Sequence, residues 1–163
     1  MEIKNLISHL NREAELFRDL ISALHRETEC MVGRDYKGLY ETIGQKDHLA
    51  MRISAAANGR QPLLKEALAS LGGACAGEAN LSAVIELSGA RGSVLDEAQK
   101  TILSLASTVK EINSLNSRIV ESSLGNVIKT LGFLGNFMQP GTYKASGSFE
   151  GFAMKGSRLS EGA

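Results

Sequence analysis

Apolar residues recur in alternating steps of three and four at Leu95, Ala98, Ile102, Leu105, Val109 and Ile112. The series continues through Asn116 to Ile119. That spacing holds one face of a helix apolar. No proline interrupts 93–138, and its only glycines are Gly125, Gly132 and Gly135, so the pattern predicts one very long helix. Ser93, with Asp96 three places on, reads as a capping box at its start. At 1.5 Å per residue the helix would run roughly 70 Å, and it needs partners along its whole apolar side.

The first 60 residues supply two of them. Ile3, Leu10, Phe17, Leu24 and Met31 fall at intervals of seven, with Leu6, Ile7, Ala14, Leu20 and Ile21 between them. This predicts a helix over 2–31 with a broad apolar stripe, closed by Gly33. Arg12, Glu15, Arg18, Asp19, Arg26 and Glu29 form its solvated face. Asp35 is placed to cap a second helix over 36–57, with a thinner stripe at Leu39, Ile43, Ala50, Ile53 and Ala57 and Lys46 in its path. A short link between two long helices implies an antiparallel pair, ended here by Asn58-Gly59. Pro62 then suits the first turn of a short helix over 63–71, closed by Gly72-Gly73. Asn80 caps another short helix to about Leu87. Beyond Met138 the glycine- and serine-rich stretch 139–163 predicts a mobile tail, with Phe149, Phe152 and Met154 as residues that could dock on a partner. The fold expected is all-α: an elongated antiparallel helical bundle, coiled-coil-like, with a helical domain over 1–138 and a flexible tail over 139–163.

Composition narrows the function more than the fold. The 163 residues carry 18 basic and 18 acidic side chains, balanced on either side of Arg60, which argues against a nucleic-acid groove or a basic membrane arm. Aromatics are 5% and Trp is absent, as suits aliphatic helix-on-helix packing. No apolar run approaches the roughly 20 residues of a membrane span, and the amphipathic start is unlike a signal peptide, so a cytoplasmic protein is expected. Cys30 and Cys75 read as isolated, reduced thiols.

The search for chemistry returns little. His9, His25 and His48 stand far apart, outside any metal-ligand spacing. The glycines of 72–77 are not followed by the Lys-Ser/Thr that would grip a phosphate. No nucleophile–base pair is readable, so no catalytic residue, metal or cofactor is assigned and a non-enzyme is expected. The far end of the long helix is more informative. Val127, Ile128, Leu131, Phe133, Leu134, Phe137 and Met138 cover more than one stripe, and only Lys129 among them is charged. Such a surface suits packing on the first helix, a homodimer, or an amphipathic helix of another protein.

Short motifs then bring a family into view. Asp35-Tyr36-Lys37-Gly38-Leu39 is followed by Lys46 and by Arg52 or Arg60. Asn113-Ser114-Leu115-Asn116 leads through Ile119-Val120 to Leu124, and the run Ile128, Leu131, Leu134 ends in Thr142-Tyr143 with Gly147 nearby. In these blocks the chain resembles the flagellar type III export chaperones of the FlgN type over about residues 1–147, with a looser Pro140–Gly147 ending. The resemblance implies a non-catalytic chaperone in the cytoplasm. It would bind the C-terminal helical segments of hook–filament junction (hook-associated) proteins, prevent their premature assembly and deliver them to the export gate. On that reading Val127, Ile128, Leu131, Leu134 and Phe137 form the partner-binding face, and Tyr143 is the candidate contact with the gate. Asn113 and Asn116 would occupy buried polar positions that fix helix register. The competing expectation is a self-associating coiled-coil scaffold whose long helix pairs with its own copy.

Overall fold

The computed structural model describes residues 2–73 and 79–137, with side chains to Gly135. Four α-helices follow in order: α1 (Glu2–Gly33), α2 (Tyr36–Ser70), α3 (Leu81–Leu87) and α4 (Gly92–Phe137), with a 3₁₀ turn at Gly89–Arg91 before the last. No strand occurs among the described residues. The chain divides into two compact units, Met1–Ser122 and Ser123–Ala163. The predicted tail, Cys75 and Tyr143 lie outside the described residues.

Within the first unit α1 and α2 are an antiparallel hairpin whose whole connection is Arg34 and Asp35. Asp35 N–H donates to the Cys30 carbonyl at 2.9 Å and Arg34 N–H to that of Met31, which satisfies the last free carbonyls of α1. The left-handed residue of this turn is Arg34 (φ 56°), one place after the expected Gly33. Asp35 then caps α2 as expected, accepting from Gly38 N–H at 2.9 Å. Gly38 is required here, because a Cβ would stand 2.3 Å from Asp35 Oδ2 and 2.9 Å from Cys30 Sγ.

α1 presents two inward lines. Ile3, Leu6, Leu10 and Ala14 join Leu64, Ala67 and Leu68 of α2, Leu81 and Val84 of α3, and Leu95 and Ile102 of α4 in the main core. The second line, Glu13, Leu16, Ala23, Glu27 and Cys30, is equally buried. Its apolar members pack on Leu49, Ile53 and Ala56 of α2. The two acids in this line meet bases of α2: Glu13 pairs with Arg60 through both carboxylate oxygens (3.1 and 3.2 Å), and Glu27 with Lys46. The inner line of α2 is therefore Thr42, Lys46, Leu49, Ile53, Ala56, Arg60 and Leu64. Ile43 and Ala50, expected to face inward, are exposed.

Two expected breaks do not occur. α2 runs without interruption through Asn58, Gly59 and Pro62 to Ser70. Pro62 cannot donate to the Asn58 carbonyl and its ring crowds it. Tertiary contacts hold the helix on both sides of that defect. His9 Nε2–H donates to the Ala56 carbonyl at 2.8 Å, Arg60 is anchored on Glu13, and Leu64 is buried one turn later. Gly59 stands beside the His9 ring, where an added Cβ would lie at ordinary contact distance. Likewise α4 begins directly from the 3₁₀ turn, so Ser93 is no capping residue: its hydroxyl donates to the Ala90 carbonyl, and Asp96 pairs with Lys100. Asn80 does cap α3, accepting from Ser82 N–H at 3.0 Å.

The α4 seam is the one read from the sequence. Leu95 is fully buried and Ile102 buried, and Ala98, Leu105, Val109, Ile112 and Ile119 are partly so. Asn116 is 3% exposed and fully engaged. Its Nδ2 donates to the Leu24 carbonyl (3.0 Å) and to Glu27 Oε2 (2.8 Å), and its Oδ1 accepts from the Thr28 hydroxyl (2.6 Å). Asn113 is exposed, so only one of the two asparagines is a buried register residue.

Removing one partner of a buried ion pair leaves the other charged and desolvated. Arg60→Ala is therefore expected to lower unfolding free energy by about 3 kcal/mol. Arg52→Ala, on the exposed face of the same helix, should change it by less than about 0.5 kcal/mol in the same urea titration.

Candidate functional site

The second unit contributes the last part of α4, and from Leu124 to Leu134 its apolar side chains are open to solvent. Leu124, Val127, Ile128 and Leu131 are all more than half exposed, Leu131 at 62%, and Leu134 is 49% exposed. Surface helices ordinarily present polar residues to water, so five exposed aliphatic residues within three turns are a candidate interaction face.

Register explains why this face is not the seam continued. In steps of three and four the seam would pass from Ile119 to Ser123, Asn126, Thr130 and Phe133, three of them polar. The aliphatic line Leu124, Val127, Leu131, Leu134 stands one residue later and keeps its own three-four spacing, with Ile128 beside it. A line so spaced is built to pack against another helix. Charge is nearly absent from the unit's described residues, where Lys129 is the single ionised side chain. A partner must then match by shape and apolar contact, since a charged group seated there would lose its water without gaining a counter-charge.

Of the sequence-derived site residues, the structure brings Val127, Ile128, Leu131 and Leu134 onto this exposed face. The side chain of Phe137 and all of Tyr143 lie outside the described residues. Phe133 is 62% exposed and falls on the seam spacing, not on the aliphatic line. Leu124 was missed as a site residue, although its place three residues before Val127 is a readable signal. A second exposed apolar group, Val32, Tyr36 and Tyr40, lies at the hairpin turn. It carried no signal beyond an i, i+4 spacing of aromatics.

Among the described residues no catalytic arrangement stands beside this face. Among the described residues no group of His, Cys, Asp and Glu could hold a metal ion. A groove of about 450 Å³ in the first unit is lined by Arg60, Gln61, Leu64, Ala79, Ile102 and Leu103. Two of its polar side chains are already committed, Arg60 to Glu13 and Gln61 to the main chain of Ala79. No helix among the described residues is long and apolar enough to cross a membrane.

The family profile described as FlgN protein matches residues 1–151. The chain belongs to the FlgN family. FlgN-family proteins are flagellar export chaperones and not an enzyme family, and the match spans both units. No match is found among curated proteins or among solved structures. An all-helical chain with a solvent-facing aliphatic helix suits a family whose work is to hold other proteins.

If the exposed face takes no part in the core, charging it leaves the fold intact. The double variant Leu131→Asp/Leu134→Asp is expected to keep its melting temperature within about 2 °C, whereas Leu95→Ala, deep in the core, should cost about 3 kcal/mol by calorimetry.

Proposed function

We propose that this FlgN-family chain is a non-catalytic cytoplasmic chaperone for hook-associated junction proteins, binding their C-terminal helical segments and delivering them to the export gate. The observation that carries this reading is the exposed aliphatic line of α4, spaced for a helical partner and almost without charge. Export substrates keep an assembly helix that must not meet its own kind early. A complementary apolar face hides it, and the segment folds on that face. Ordering the segment offsets part of the gross interaction energy, which keeps release feasible at the gate. Val127, Ile128, Leu131, Leu134 and Phe137 make the face, and the exposure of Leu124 on the same line supports including it. Tyr143 contacts the gate.

Titration calorimetry against a peptide from a junction protein's C-terminal helix tests the reading. Micromolar or tighter binding with a negative heat-capacity change is expected. Leu131→Asp/Leu134→Asp should weaken it at least tenfold, since each charge would be buried without a partner. Unchanged affinity would discard this face. Absence of binding to any such peptide, with a stable dimer by ultracentrifugation, would turn α4 into a self-assembly seam and favour a coiled-coil scaffold. Tyr143→Ala is expected to bind its substrate normally and export it poorly, and normal export would remove the gate assignment.

A further inference from the structure

The exposed end of α4 has a composition at odds with its conformation. Over 93–124 the helix contains neither glycine nor proline, yet Gly125, Gly132 and Gly135 follow within eleven residues. Among the described residues a Cβ built on any of the three meets no atom within 4 Å, so none of them requires glycine there. In Gly125–Phe137 only Lys129, Leu131 and Leu134 are strong helix formers; the rest are glycine, asparagine, β-branched or aromatic. Elsewhere in α4 such weakness is offset by burial against α1 and the main core. Here the side chains that would supply that burial face solvent.

We propose that the three glycines hold the end of α4 close to its helix–coil midpoint, so that this end and a captured segment fold on one another and separate together. The inference rests on the chaperone reading and concerns how the face releases what it holds. A stiff helix with the same aliphatic line would bind more tightly and let go more slowly. With glycine at these positions, part of the contact energy goes into ordering the chaperone's own helix, and loosening either partner loosens both.

Hydrogen exchange of the full-length protein, resolved by mass spectrometry, reads this directly. Amides of 126–137 should exchange within about tenfold of an unfolded peptide while those of 98–118 are strongly protected, and a bound junction-protein helix should protect the first group. Ordinary end fraying reaches about one turn, so low protection must extend back to Gly125. Replacing all three glycines (Gly125→Ala, Gly132→Ala, Gly135→Ala) is expected to raise protection of the free segment about a hundredfold, tighten substrate binding and slow its dissociation. Full protection of 126–137 in the free wild-type chain would overturn the proposal. So would an alanine variant that gains protection but loses affinity, since the glycines would then be points of close approach for the partner. The exchange of the free chain needs no substrate, so failure of the chaperone reading in calorimetry would be seen separately.

Discussion

The first unit depends on two buried ion pairs set at matched spacing. Glu13 and Glu27 stand two heptads apart on α1, and so do Arg60 and Lys46 on α2. An antiparallel pair of helices satisfies both only in one register. Slipping by a heptad would set the two acids against Ile53 and either Leu39 or Ala67, leaving buried carboxylates among apolar side chains at a cost of several kcal/mol. Apolar packing of Leu16, Ala23 and Leu49 favours association of the two helices but discriminates weakly between neighbouring alignments. The charges discriminate. Glu27 then serves a second purpose, because its other oxygen accepts from Asn116 and so ties α4 to the register already chosen.

The spacing of α4 also changes past its last contact with that hairpin. Up to Ile119 the helix spends its apolar residues on the hairpin. Past that point the same spacing meets Ser123, Asn126 and Thr130, and aliphatic residues move one place along. The shift puts the exposed aliphatic line out of register with the seam, so one helix carries two apolar lines.

Much of this was legible in the residues. The α4 seam, the two caps at Asp35 and Asn80, the broad α1 stripe and the exposed character of its charged face all follow from three-four spacing and from short polar side chains at helix starts. Two readings failed. Asn58-Gly59 and Pro62 signal a break locally, but His9 and Glu13, distant in sequence, hold α2 across it, and Glu13 and Glu27 draw Arg60 and Lys46 into the hairpin. Ser93 signals a cap locally, but the 3₁₀ turn just before it lets α4 begin at Gly92. Spacing on a single helix records which face is apolar. It does not record that a buried base will find its acid on another helix, so the inner line of α2 looked thin. The candidate face was readable for the opposite reason, since its own spacing and composition mark it and its side chains stay exposed.

The two-residue link between α1 and α2 has a consequence for how the molecule is made. Contacts across so short a turn are local in sequence and close fast, so the hairpin can form once its first 70 residues have left the ribosome. α4 is synthesised afterwards and meets a template whose alignment is already decided. Its seam can zip from Leu95 toward Ile119 as each turn emerges, ahead of the uncharged aliphatic stretch. By the time Leu124 to Leu134 appear, the hairpin's own apolar surface is already taken by the seam.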